Sequence, residues 1–205
     1  MLSAKLKPLV IGDKIAPLPI IQGGMGVGIS LSGLASAVAN VGGIGVIAAA
    51  GIGMYERDFY THYLEANTRA LRREIRKAKL LTSGILGLNI MVALSNYGDL
   101  VRAAIEEEID VIFSGAGLPM TLPQYLDRNS KTKLVPIVSS GRAAALICKR
   151  WLGRYDYLPD AVVVEGPLAG GHLGFSQTQI FDPDLALEKL VPKVVEVVRG
   201  FSARY

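Results

Sequence analysis

The sequence predicts an α/β fold, a TIM-type (β/α) barrel cut short at about six βα units. Three observations carry that expectation. Short apolar runs alternate with longer amphipathic segments, the signature of repeated βα units. Each apolar run ends in a small or polar cluster, and barrel chemistry collects at those strand ends. The apolar half of the chain lies mostly in Ala, Val, Ile and Leu, with only 7% aromatics, as a parallel sheet buried on both faces requires.

The elements follow in order. A first strand at 20–22 leads through Gly23-Gly24-Met25-Gly26 into a helix at 32–41. A second strand at 45–49 ends in Ala50-Gly51-Ile52-Gly53, and a long connection carries a helix at 60–79. The third strand spans 86–91, with its helix at 99–107. The fourth, at 111–113, ends in Ser114-Gly115-Ala116-Gly117 and is followed by a helical stretch at 123–127. The fifth, at 134–138, ends in Ser139-Ser140-Gly141 before a helix at 142–151. The sixth, at 161–164, ends in Glu165-Gly166, and a last helix covers 184–199. A Rossmann-like open sheet is the alternative. Its fingerprint is poorly met: Ile29 stands where the third glycine belongs, and Ala48 or Ala49 where the acidic ribose ligand belongs.

A closed barrel needs eight units and about 250 residues; the 205 residues read as a single domain with six. An open arc would leave two unpaired apolar edges. The expectation is a truncated chain lacking the last two βα units, or a homo-oligomer that covers the open edges.

Composition narrows the class. Mean hydropathy is +0.35, yet no apolar run reaches the roughly 20 residues of a membrane span. The lysines near the N-terminus precede no apolar core, so no signal peptide is expected. A single cysteine, Cys148, excludes an internal disulfide and suits a cytoplasmic location. It sits in the apolar helix 142–151 and reads as a buried, inert thiol. The net charge of +4 invites a nucleic-acid reading. The basic run 69–79 argues against it: Leu71, Ile75 and Ala78 recur at helical spacing, so its charges form a solvated helix face without interleaved aromatics. Glu106-Glu107-Glu108 reads as a solvated helix end, and Trp151 as packing. No Cys/His cluster has metal-ligand spacing. The partner expected is a small-molecule substrate, with neither nucleic acid nor membrane.

The chemistry concentrates in Glu165-Gly166-Pro167-Leu168-Ala169-Gly170-Gly171-His172, just after Val162 to Val164, which reads as a buried strand. Glycines admit close approach of backbone to a ligand, and histidine titrates nearest neutral pH. His172 is therefore the leading catalytic candidate against the plainer reading of a satisfied histidine. His62, the other histidine, lies in the long connection and reads as structural.

Four segments then carry a resemblance. Pro19-Ile20-Ile21-Gln22-Gly23-Gly24-Met25-Gly26 resembles the opening motif of the nitronate monooxygenase family, formerly the 2-nitropropane dioxygenases. Gly87-Leu88-Asn89-Ile90-Met91 resembles its third-strand motif, Ser114-Gly115-Ala116-Gly117 its fourth and Ala169-Gly170-Gly171-His172 its sixth. The likeness runs from about residue 18 to 175 and extends to the flavin-dependent enoyl-acyl-carrier-protein reductases. The resemblance implies an FMN barrel whose missing strands would carry much of the FMN phosphate site.

It also implies roles. His172 is the active-site histidine. Gly23, Gly24 and Met25 pass their backbone beside the flavin ring; the plainer reading is a tight βα turn. Asn89 touches the flavin or its ribityl chain, or else closes its own turn. Ser114, Gly115 and Ser139 line the same mouth, Gly170 and Gly171 approach the cofactor, and Glu165 orients a neighbour or binds the ribityl chain. The activity expected is FMN-dependent oxidation of alkyl nitronates with molecular oxygen. The alternatives are an enoyl-acyl-carrier-protein reductase using NAD(P)H and a non-catalytic fragment of such a barrel. Relatives of the reductase kind carry Glu-Ser-Gly-Gly-His at the sixth strand, whereas Leu168-Ala169 stands before the glycines here, which tilts the expectation toward nitronates.

Overall fold

The computed structural model describes residues 6–203, and they fall into two compact units. The first comprises the chain up to Phe113 together with Tyr125–Lys133; the second comprises Ser114–Gln124 and the chain from Leu134 onward.

The first unit opens with an antiparallel hairpin, β1 (Leu9–Ile11) and β2 (Lys14–Ala16), which the apolar pattern did not reveal because each strand has only three residues. Ile11 and Ala16 are buried on one face, while Val10 and Ile15 face outward. The strand expected at 20–22 narrows to a single parallel bridge, Ile21 to Ile44. Helix α1 (Ser32–Asn40), strand β3 (Gly45–Ala48), helix α2 (Tyr63–Leu81), strand β4 (Leu86–Met91) and helix α3 (Tyr97–Glu106) follow. β3 pairs in parallel with β4, from Gly45 opposite Leu86 to Ala48 opposite Asn89. Every residue of β3 is buried, because α1 packs on this strand and α2 packs on α1.

Strand β5 (Val111–Gly115) begins in the first unit and ends in the second. It is two residues longer than the sequence suggests, so Ser114 and Gly115 lie within the strand, both buried, rather than in a loop after it. The expected helical stretch at 123–127 shrinks to one 3-10 turn, Leu122–Tyr125. Pro123 and the polar run that follows cannot extend it.

The second unit holds β6 (Lys133–Val138, from Leu134 on), α4 (Gly141–Tyr155), β7 (Val163–Val164) and α5 (Leu187–Ser202). β6 and β7 pair in parallel, Ile137 with Val163 and Val138 with Val164. Ser140 caps α4 by accepting from the Ala143 N–H at 3.1 Å, the standard remedy for an orphan first-turn donor. The three valines expected to form a buried strand are only half-buried. Among the described residues of this unit, β7 has a ladder partner on one edge alone. Trp151 is fully buried and donates its indole N–H to the Pro119 carbonyl at 2.9 Å. Cys148 is buried, and burial pushes its thiol above the ordinary range, which suppresses thiolate reactivity.

Each unit repeats one device. Asp110, just before β5, accepts the Leu86 N–H at the start of β4 through Oδ2, at 3.0 Å, and Lys14 Nζ through Oδ1, at 2.6 Å. Asp160, ahead of β7, accepts the Leu134 N–H near the start of β6 at 2.8 Å and a hydroxyl from Tyr157. An aspartate one strand later thus satisfies the first free donor of its neighbour, which keeps the register of a parallel pair from slipping.

The basic helix is not simply a solvated face. Arg69 and Arg73 reach Glu56, Arg69 also reaches Asp58, and Arg72 and Arg76 share Glu107 while Arg72 holds Glu106. Glu106 and Glu107 are therefore ion-pair partners rather than a free helix end. Glu74, on the buried side of α2, accepts the Ser32 N–H at 3.0 Å and tethers α1. The Arg76 hydrogen bond holds the Glu107 carboxyl below the usual carboxylate range, with Arg72 adding to it and burial opposing. Because the folded value is the depressed one, the stabilisation is complete above the unfolded value of about 4.3 and is lost as pH falls through the folded one. Denaturant titrations at pH 6 and pH 3 are expected to show a steeper acid loss for the wild type than for Glu107→Gln; parallel losses would refute the linkage.

Candidate active site

In the first unit the predicted cofactor residues sit on one strip. Gln22 is the pin. Its Oε1 accepts the Val46 N–H at 3.1 Å, and its Nε2 donates to the Val46 carbonyl at 3.1 Å and to Ser30 Oγ at 2.8 Å. Ser30, fully buried, accepts the Met25 N–H on the same oxygen at 2.9 Å. One glutamine and one serine thus hold the backbone from Gly23 to Met25 against β3. The Met25 N–H is consumed in this way, whereas no hydrogen bond among the described residues uses the Gly23 or Gly24 N–H. A side chain at Gly23 would meet no atom within 4 Å, so this face of the backbone is bare. At Gly24 the opposite holds: a Cβ would stand 2.3 Å from the Asn89 Cβ. Asn89 lies inside β4 rather than at its tip, half-buried, and its carboxamide has no hydrogen-bond partner among the described residues. The structure therefore brings Gly23, Gly24, Met25 and Asn89 together.

In the second unit the placement is looser. Ser114 and Gly115 are buried in β5. Ser139 lies just past β6, beneath the backbone of Gly174, where a Cβ would come within 2.2 Å of its Oγ. Glu165 continues the β6–β7 ladder, its N–H donating to the Val138 carbonyl at 2.8 Å. The partner expected for its carboxylate is not found among the described residues, and the residue is half-exposed. Gly170, Gly171 and His172 are exposed, in a loop six to eight residues past the end of β7 rather than at its tip. Gly171 has a φ of +90°, with open space on its Cβ side. The ring of His172 has no hydrogen-bond partner among the described residues.

The chain matches the nitronate monooxygenase family over residues 10–110 and 96–199. It belongs to that family. Among solved structures it is similar to FabK from Thermotoga maritima, with 29% identity and a TM-score of 0.65 over 87% of this chain and 47% of that one. A nitroalkane oxidase from Streptomyces ansochromogenes is 22% identical, with a TM-score of 0.68 over 88% of this chain and 56% of that one, a likeness of fold alone. A curated relative from Mycobacterium tuberculosis, (3aS,4S,5R,7aS)-5-hydroxy-7a-methyl-1-oxo-octahydro-1H-indene-4-carboxyl-CoA dehydrogenase, is 26% identical over 182 residues, 89% of this chain and 42% of the relative. This member of the nitronate monooxygenase family thus spans about half the length of the relatives it matches, and its α/β fold is that of their TIM-type barrels.

The Gln22–Ser30 clasp is not among the features the sequence predicts. A glutamine inside an otherwise apolar run is the signal that could have found it, since a half-buried carboxamide must have partners. Among the described residues no three of His, Cys, Asp and Glu group as a metal would need, and no helix is long and apolar enough to cross a membrane.

Proposed function

We propose that this chain serves a cytoplasmic, flavin-dependent oxidoreductase that oxidises alkyl nitronates with molecular oxygen, FMN being the cofactor. The bare backbone strip at Gly23–Gly24, held from behind by Gln22 and flanked by Asn89, carries the reading. These residues fit a flat, polar-edged ring: two free N–H donors, an unpaired carboxamide, and no side chain to lift a ring off the backbone. When bound, the flavin supplies the redox chemistry, while the protein positions and polarises it. Gly23 and Gly24 would hold the ring edge. Asn89 would donate to or accept from ring or ribityl atoms. Ser114, Gly115, Ser139, Glu165, Gly170 and Gly171 remain the further cofactor residues of this reading. His172 would move the proton on the carbon beside the nitro group, or hold the negative charge of the nitronate oxygens. A second copy covering the open edge of β7 belongs to the same reading.

The test is flavin absorbance of the purified protein, followed by oxygen consumption with nitroethane, which carries the proton His172 would move, and with ethylnitronate, which has lost it. His172→Asn is expected to lower kcat/KM by about a hundredfold or more with flavin content unchanged. A change smaller than about threefold would remove His172 from the chemistry.

A second reading rests on a specific observation. FabK is closer in sequence, at 29%, than the nitroalkane oxidase, at 22%. NAD(P)H consumption with an enoyl thioester, in the absence of any nitronate turnover, would replace the first reading with an enoyl-acyl-carrier-protein reductase. A folded, colourless protein would favour a non-catalytic fragment over both.

A further inference from the structure

Two loops of the first unit lock into each other and present a bare apolar surface. The side chain of Val27 rests on Gly51, where a Cβ would meet it at 2.9 Å, and the ring of Tyr55 rests on Gly28, also at 2.9 Å. Both glycines have positive φ, +62° and +74°, so a side chain at either would be strained as well as obstructed. The loops are also fastened at their bases. The Met25 carbonyl accepts from the Ser30 N–H at 3.0 Å, and the Gly53 N–H donates to Asn67 Oδ1 at 3.0 Å on α2. This surface is therefore built rather than incidental.

What it presents is apolar apart from the Tyr55 hydroxyl. Tyr55 is 72% exposed, Ile29 60%, Met25 47%, Met54 44% and Val27 43%. No charged residue occurs between Lys14 and Glu56; Glu56 itself is committed to Arg69 and Arg73, and the exposed Arg57 follows it at the edge of the patch. Both loops follow the C-terminal ends of parallel strand segments, at Ile21 and β3, where ligands collect in such folds. The surface is also continuous with the proposed flavin strip, because Met25 belongs to both. Exposed apolar patches of this kind mark binding sites, and methionines suit a surface that must adapt to the shape of a hydrocarbon.

We propose that Met25, Val27, Ile29, Met54 and Tyr55 form a subsite for the uncharged hydrocarbon part of the substrate, which is an alkyl or alicyclic group of several carbons rather than a one- or two-carbon nitro compound. Only the word substrate rests on the proposed function; binding is independent of turnover. The five side chains carry no charge, so any anionic group is recognised by other residues.

The test is NMR of the whole protein carrying methyl-labelled methionine, titrated with nitroethane, nitrobutane and nitrohexane. The Met25 and Met54 methyls are expected to shift while those of Met91 and Met120 stay. The Kd should fall by up to about fourfold per added methylene. Ile29→Ser, on an exposed side chain that leaves the fold intact, should weaken nitrohexane by about tenfold and nitroethane hardly at all. Absent shifts, or shifts of equal affinity for all three probes, would overturn the subsite. Shifts that follow protein concentration without any probe would assign the surface to a second copy and overturn it as well. Because the readout is binding, a protein without flavin or turnover would defeat the proposed function and leave this result standing or falling by itself.

Discussion

Gly45→Ala is expected to destabilise the fold by about 3 kcal/mol or more, the top of the usual range for overpacking. Gly45 opens β3, and a Cβ there would stand 1.7 Å from the Ala35 carbonyl oxygen and 2.5 Å from its carbon. The obstacle is helix backbone, which cannot rotate aside as a side chain does. Either α1 lifts off the sheet or β3 shifts against β4, and both moves break buried contacts. Lifting α1 would expose Ala35 and Ala39 and pull on the Ser32–Glu74 tether. Against a typical domain stability of about 5–15 kcal/mol the loss is large enough to read directly. Denaturant midpoints of wild type and variant, at equal slope, measure it. A loss below about 1 kcal/mol would show that α1 is free to shift and is not seated on the glycine.

Much of this architecture was legible because parallel βα units leave a strong trace. The sequence predicts a third strand at 86–91, and it is found as Leu86–Met91; the helix predicted at 32–41 is found as Ser32–Asn40. These elements bury a face or a whole strand, so their apolar period is unbroken. Legibility failed where an element is too short to have a period. The β1–β2 hairpin has three residues on each side, and the strand at 20–22 amounts to one bridge. It failed again where pairing, not hydrophobicity, decides burial. Val162 to Val164 read as core, yet among the described residues β7 has a ladder partner on one edge alone and stays half-exposed.

The candidate site divides along the same line. The resemblance implies Gly23, Gly24 and Asn89 as neighbours of one ligand, and backbone sterics do bring them together. Gln22 and Ser30, which hold the strip, are only half legible: Gln22 stands out against its apolar run, but which groups it and Ser30 hold depends on a return of the chain to β3. The charge pairs of α2 were hidden for the same reason. An arginine-rich face looks solvated until Glu56 and Glu107, 13 residues before Arg69 and 31 after Arg76, are brought beside it.

Gly24→Ala should separate stability from cofactor binding. The added Cβ would stand 2.3 Å from the Asn89 Cβ and 2.8 Å from its Cγ. Asn89 cannot retreat, because β4 holds it opposite Ala48, with its carbonyl accepting the Ala49 N–H at 2.9 Å. The strip must therefore move outward, into the open space on the Gly23 side. That movement breaks little packing, so the stability loss should be modest, about 1–2 kcal/mol. Its effect on a ring lying against the strip should be much greater, since a displacement of about 1 Å can remove a hundredfold in a positioned complex. Flavin affinity, titrated by fluorescence, is expected to fall by about that factor. The double variant Gly24→Ala with Asn89→Gly removes the obstructing Cβ and should recover the strip and its stability. It should not recover full flavin affinity, because the carboxamide is gone. If Gly24→Ala alone retains flavin to within about threefold, the strip is not the seat of the ring, and the proposed function loses the observation that carries it.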